Sequence, residues 1–93
     1  MINPRAGRSL GYQQMTSLAS ATAPAVPAGA SWAVLVAEAQ IVRWRDDGTD
    51  PTASIGMTLA AGVPYEFTGD FARLKFIEAT ASAKLNITYY GAV

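Results

Sequence analysis

The chain has 93 residues, of which 51% are hydrophobic and 15% are charged, and its seven basic and seven acidic residues leave no net charge. At this length one small domain is expected, with a core that alone provides limited stability. Because the chain contains neither cysteine nor histidine, disulfides, thiolate or imidazole metal sites and histidine-based catalysis are excluded, and no basic run supports nucleic-acid binding.

Residues 1–31 are predicted to form an extended N-terminal arm followed by a linker. Arg5 and Arg8 could begin a signal peptide, but no apolar run follows them. Residues 10–18 alternate imperfectly, and this pattern allows either an extended arm or a first strand. The small side chains and two prolines of residues 19–31 prevent a continuous helix, so a linker or a loop lying along the surface is expected there.

Residues 32–93 are predicted to form the folded domain, which begins with a strand at residues 32–38. Tryptophan and valine alternate there with alanine and leucine, in the period of two that is typical of strands. A helix over residues 31–45 is the competing interpretation, but β-branched and aromatic residues favour the strand. The apolar stretch is too short to cross a bilayer, so no membrane segment is expected.

The most charged part of the chain is predicted to be a strand, a loop and a returning strand over residues 40–60. Apolar Val42 and Trp44 alternate with two arginines, which predicts a half-buried strand. The following Asp-Asp-Gly and Asp-Pro favour turns, since glycine accepts a positive φ and the residue before proline avoids the helical region. The returning strand is expected at residues 57–60.

Three further alternating stretches follow, at residues 63–68, 72–76 and 85–90. Pro64 lacks a backbone donor, so the first stretch should be an edge strand or begin a strand. The even-numbered residues of the second stretch are predicted to face inward, and in the third stretch the odd-numbered residues alternate with the even-numbered ones. Six or seven short strands separated by turn residues predict an all-β fold, a small antiparallel β-sandwich or barrel of jelly-roll-like type with an extended N-terminal arm.

The charged part of the chain also contains the candidate interaction or structural loop. This loop comprises Arg43, Trp44, Arg45, Asp46, Asp47, Gly48, Asp50 and Pro51. Its three aspartates could be calcium ligands, but they do not match an EF-hand loop, and turn formation beside arginines is the ordinary explanation. Paired catalytic acids cannot be assumed within one loop, and a serine nucleophile would need lysine as its base. We therefore expect no enzyme activity, no metal and no cofactor.

Trp44 lies between two arginines, and this arrangement could form a stacking platform for a sugar or a nucleotide. A tryptophan on an alternating strand is more often part of the core, so a core position is favoured. Tyr89 and Tyr90 must face opposite ways on a strand. One of these two rings is therefore expected to be buried and the other exposed.

Residues 43–54, with the sequence RWRDDGTDPTAS, and the following Gly56-Met57 resemble a segment common in small structural proteins of tailed bacteriophage particles. The similarity extends from about residue 33 to residue 90, ends in LNITYY, and does not cover the first thirty residues. Such proteins are β-rich and include capsid decoration, or cement, proteins. The resemblance implies a structural protein of a virion and offers no catalytic residue.

The resemblance implies, more narrowly, a decoration protein that binds the major capsid protein and bridges neighbouring capsomers. Few charges are available to cover the surface of a small domain, so a homo-oligomer is expected, and a trimer would suit the threefold positions of an icosahedral shell. The protein would be made in the bacterial cytoplasm and located on the capsid surface, with no nucleic-acid or membrane partner. A receptor- or glycan-binding module of a tail fibre or spike is the alternative, which an exposed groove lined by aromatic residues would favour.

Overall fold

A computed structural model describes residues 7–93, so the first six residues of the predicted N-terminal arm lie outside the described part of the chain. Its seven strands are β1 (Arg8–Met15), β2 (Trp32–Glu38), β3 (Val42–Arg45), β4 (Met57–Leu59), β5 (Tyr65–Phe67), β6 (Lys75–Glu78) and β7 (Lys84–Gly91). The described residues contain no helix, and hence none long and apolar enough to cross a membrane. The predicted all-β fold is confirmed.

The strands form two antiparallel sheets, one with the order β1-β7-β2-β5 and one with the order β4-β3-β6. Both sheets contribute apolar side chains to a single core. The sequence allowed a sandwich or a barrel, and the two separate sheets packed around that core are those of a small β-sandwich. Strand β5 ends the larger sheet, as expected for a strand that directly follows Pro64.

Alternation explains the central strands of the larger sheet. The buried residues of β2 and β7 are Ala33, Leu35, Ala37, Leu85, Ile87 and Tyr89. Strand β2 pairs with β7 on one side and with β5 on the other, which excludes the competing helix. Of the two neighbouring tyrosines, Tyr89 is therefore the buried one and Tyr90 lies on the outer face. There the Tyr90 ring stacks on Trp32 with ring centroids 4.3 Å apart.

The smaller sheet buries alternate residues in the same way, with one exception to the prediction. Val42, Trp44 and Phe76 are buried, and Leu74 precedes β6 and is also buried. The predicted inward position of Ala72 is wrong, because residues 71–73 form a turn before β6 and leave its side chain exposed. The period of two therefore begins at Leu74, directly before β6, and not at Ala72.

Aromatic rings connect the two sheets through the core. Trp44 of the smaller sheet meets Phe67 of the larger sheet edge-on at 5.2 Å, and Phe71 lies 5.2 Å from Phe67 and 6.1 Å from Tyr89. Burial raises the pKa of Tyr89 to about 12, and its hydroxyl donates to Gln13 Oε1 at 2.8 Å. No polar or charged residue is buried within residues 7–93, so the core of the described residues consists of apolar and aromatic side chains.

The N-terminal segment requires a correction to the predicted boundary at residue 31. Strand β1 pairs antiparallel with β7 from Arg8 opposite Gly91 to Met15 opposite Leu85, and Met15 lies in the core. Of the two possibilities, arm or first strand, the described residues form a strand. This strand completes the larger sheet, because β7 would otherwise present an open edge.

The alanine- and proline-rich segment that follows β1 lies along the surface of the same domain. Leu18 is buried, and its carbonyl accepts a hydrogen bond from the Glu78 N–H at 2.9 Å. Thr22 and Phe76 exchange two backbone hydrogen bonds of 2.9 Å each. The segment therefore covers the outer edge of β6, so in the described residues the arm and the domain form one unit.

Candidate functional site

The candidate residues lie at the end of β3 and in the loop, residues 46–56, that connects β3 to β4 and lies over the outer face of the smaller sheet. Val42 and Trp44 point into the core, so the intervening Arg43 and Arg45 point outward. Lys75 lies opposite Arg45 on β6. All three cationic side chains bond to the loop, because strand alternation places them on the face that it covers.

Arg43 holds the far end of the loop. Its Nε donates to the Ala53 carbonyl at 3.0 Å, and its Nη1 donates to the Gly56 carbonyl at 2.9 Å. In the same segment, the Thr52 N–H donates to the Ile55 carbonyl at 2.8 Å, and the Ile55 N–H donates to the Thr52 hydroxyl at 3.0 Å. Side-chain and backbone bonds thus fix this part of the loop as a tight turn.

Arg45 and Asp47 form a bidentate pair on the loop surface. Arg45 Nε donates to Asp47 Oδ1 at 3.0 Å and Nη2 to Oδ2 at 2.6 Å. These hydrogen bonds from Arg45 lower the pKa of Asp47 from 3.8 to about 2 and raise the pKa of the guanidinium. The pair is exposed to solvent, which screens the attraction and keeps its contribution to stability small.

The other two aspartates tie the loop to the segment between β5 and β6 and to the first residue of β6. Asp46 Oδ2 accepts the Asp70 N–H at 2.9 Å, and Asp50 Oδ1 accepts Lys75 Nζ at 3.0 Å. With Asp47 bonded to an arginine, the three carboxylates have three separate partners. Nowhere in the described part of the chain do three or more potential His, Cys, Asp or Glu ligands come together.

Two glycines and a proline give the loop its path. Gly48 has φ +88°, a left-handed conformation that favours glycine. Pro51 is buried. At Gly56, with φ +146°, an added Cβ would lie 3.2 Å from the Cβ atoms of Arg43 and Pro51 and from the Trp44 carbonyl. The loop therefore approaches β3 closely, and a side chain at Gly56 would be both crowded and strained.

Trp44 belongs to the core, as predicted, because only 9% of its surface is exposed. Its ring lies against Phe67 and 5.9 Å from Tyr65. The face that a stacking platform would need is largely covered.

An open groove of about 470 Å³ lies beside the loop and is lined by residues 44–47 and 55–57. Ile55 and Met57 are each 58% exposed along it. Met57 lies opposite Trp44 in the strand register, and Tyr65, 40% exposed, has its ring centroid 5.9 Å from that of Trp44. We call Ile55, Met57 and Tyr65 the apolar patch.

The apolar patch was missed by reasoning from the sequence. Ile55 lies within an otherwise polar loop, and Met57 begins the returning strand. Two apolar residues so close together in a polar part of the sequence were the signal that could have indicated an exposed apolar surface. Tyr65 could not be assigned to the patch, because its position depends on how β5 packs against β3. The patch lies where β4 and β5 end their respective sheets.

A partner molecule could contact the apolar patch beside a loop that is held in place and whose charges are mostly neutralised. The cations under the loop are bonded to carboxylates and carbonyls, whereas the apolar patch is exposed. No protein-family model, curated protein or solved structure matches this chain.

Proposed function

We propose that this chain is a structural protein of a tailed-bacteriophage particle, a decoration protein that binds the capsid surface and bridges neighbouring capsomers. The main support for the proposal is that the resemblance and the exposed apolar residues occur in the same part of the chain. The run that resembles phage structural proteins, residues 43–57, also contains the loop that side-chain bonds hold against the smaller sheet and carries Ile55 and Met57 of the apolar patch.

Two physical features support an adhesive role for this surface. A loop that is already ordered loses little conformational entropy on binding, so more of the contact energy remains as affinity. Ile55 and Met57 provide exposed apolar area next to the buried Trp44, and burial of such area favours association. The partner would be the major capsid protein, and the location would be the capsid surface of the virion.

The proposed mechanism is stabilisation by selective binding. A protein that binds only the assembled shell lowers the free energy of that shell by mass action, and a molecule that bridges two capsomers adds an interface that must break before the shell opens. The protein would be made in the bacterial cytoplasm before it binds. The trimer expected from the sequence stays a prediction.

The test uses particles of the phage whose genome encodes the chain, with and without its gene. We expect the protein to occur on purified heads and particles without it to release DNA at a lower temperature. Purified protein added back should restore the higher release temperature and sediment with the heads.

Two matched variants locate the contact. Met57→Glu should lose binding to the heads, whereas Val63→Glu, at a residue that is 55% exposed and outside the groove, should retain it. Protein found only in tail fractions would overturn the proposal, as would equal binding by both variants.

The groove supports a second candidate, a receptor- or glycan-binding module of a tail fibre or spike. Exposed Asp47 and Met57 line an open groove that also reaches Trp44, a combination found in ligand sites. Against it, the Trp44 ring is largely covered and Asp47 is bonded to Arg45. Binding of the purified protein to surface polysaccharide of the host, without binding to heads, would favour this candidate.

A further inference from the structure

The outer edges of the two sheets differ in how much backbone they leave open. Residues 18–22 cover the edge of β6, and β4 and β5 are edge strands of only three residues each. Strand β1 has eight residues and pairs on one side with β7. On its other side no backbone hydrogen bond to a loop occurs within residues 7–93.

Strand β1 lacks most of the features that keep an edge strand from pairing. Natural edges are protected by proline, by charged side chains or by bulges. Arg8 is the only charged residue of β1, and the register shift between Ser9 and Gly11 lies near its start. The five residues Gly11 to Met15 carry no charge and pair with β7 without a further shift in register, although Gly11 has φ +148°. By contrast, Pro64 precedes the short strand β5.

Side chains on the outer face of the larger sheet form a polar row that ends at this edge. Asn86 Nδ2 of β7 donates to Glu38 Oε1 of β2 at 3.0 Å. Asn86 Oδ1 accepts from the Tyr12 hydroxyl and from Gln14 Nε2. Tyr12 and Gln14 both lie exposed on β1, so the row stops at two side chains that can donate and accept hydrogen bonds.

We propose that β1 pairs antiparallel with β1 of a second copy of this chain, about a twofold axis at Gln13. A twofold axis at Gln13 lets all five residues from Gly11 to Met15 pair, since Gln13 is the middle one. Tyr12 then lies opposite Gln14 of the second copy, and Gln14 opposite Tyr12 of the second copy, at the about 5 Å separation of cross-strand pairs. The polar row continues across the axis, and two four-stranded sheets become one of eight strands.

A second copy of the chain is the expected partner of this edge because the residues Gly11 to Met15 are complementary to themselves. An isologous contact places the same residues on both sides, and here it brings no like charges together, since Arg8 lies outside the paired stretch. A head-to-tail ring in which β1 pairs with β5 could use only the three residues of β5. The pairing therefore favours a dimer in place of the trimer expected from the sequence. It is independent of the proposed phage function.

The test compares the association of two variants that carry the same number of changes at the same exposed positions. In Y12K/Q14K, each introduced lysine faces a lysine of the second copy, and the dimer should be lost. In Y12K/Q14E, each introduced lysine faces an introduced glutamate in the proposed register, and the dimer should form. Both variants remove the bonds to Asn86, so a difference between them reports on the contact between copies.

Sedimentation equilibrium at micromolar and near-millimolar concentration gives the association state, and thermal melting with circular dichroism shows that each variant is folded. The parent and Val63→Lys, a variant beside the opposite edge of the sheet, should both form dimers. A parent that remains monomeric or forms a trimer would overturn the proposal. So would a dimer that Y12K/Q14K retains, or one that folded Y12K/Q14K and Y12K/Q14E both lose.

Discussion

Asp46 and Asp47 are neighbours in sequence but have different structural roles. The side chain of Asp46 turns towards the segment between β5 and β6 and accepts the Asp70 N–H, whereas Asp47 is exposed and pairs with Arg45. The first contact joins two distant parts of the chain, and the second lies within one turn. Asp46 therefore matters more for the position of the loop, and Asp47 for the dependence of stability on pH.

Gly69→Ala is expected to lower the free energy of unfolding by about 1–3 kcal/mol. An added Cβ would overlap the Asp46 carboxylate and lie 2.8 Å from the Phe67 ring, so both side chains or the backbone at Gly69 must move. Urea denaturation measures the loss. In the double variant G69A/D46A, the cost should be smaller than the sum of the two single costs. Additive costs would show that the carboxylate does not occupy this space.

Acid should weaken the contribution of Asp47. Its pKa is 3.8 without the pairing and about 2 in the folded chain, so the unfolded chain binds the proton first and acid favours unfolding. The stability difference between the parent and Asp47→Asn should be fully present above about pH 4 and shrink as the pH falls towards about 2. Urea denaturation across this range checks it. A difference independent of pH would contradict the pairing with Arg45.

At the scale of elements, β3 organises the candidate site although it has only four residues. Its inward residues join the sheets through Trp44, and its outward residues hold the loop through Arg43 and Arg45. Each face of the strand therefore has a separate role. A one-residue slip in register would exchange the two faces and place arginines in the core, so the register of β3 is strongly specified.

Arg43→Met should lower stability by about 1–3 kcal/mol, because two carbonyls would lose a charged donor. Methionine retains an apolar stem of similar length, so the change tests the guanidinium. Arg43→Lys should recover only part of the loss, since one ammonium cannot reproduce the fixed geometry of the two donor nitrogens. Hydrogen exchange at Ile55 should quicken in both variants. Unchanged exchange there would mean that Arg43 does not hold the turn.

At the scale of the whole molecule, the sandwich is closed by the part of the chain that precedes β2. The smaller sheet has three strands facing the four of the larger sheet, and the segment at Leu18 and Thr22 extends it by bonding to β6. Partly buried Val26 and Ala30 also pack on the core. Small residues suit this segment because they let the backbone lie close to the sheets.

A fragment of residues 32–93 should fail to fold as the full chain does. It lacks β1 and the buried Met15 and Leu18, so β7 would be unpaired and the core open. Leu18→Ala in the full chain should already cost about 2–5 kcal/mol. Circular dichroism and thermal melting compare the three proteins. A fragment that melts cooperatively at the temperature of the full chain would show that residues 1–31 are an arm after all.

The amino-acid sequence by itself determined the fold class and the faces of most strands. Alternation is local, and it places Val42 and Trp44 inside and two arginines outside wherever the strand lies. The sequence also predicted turn geometry at Asp-Asp-Gly, where Gly48 has φ +88°. The resemblance of residues 43–57 remains the basis of the proposed phage function.

Only the tertiary structure decided which groups meet. Asp46 bonds to a residue 24 positions away and Asp50 to one 25 positions away, and no local pattern specifies such partners. The same holds for the strand role of residues 8–15 and for the apolar patch, which depend on the order of strands in the sheets. A period of two assigns each side chain to a face, but long-range packing decides what covers that face and which edges stay open.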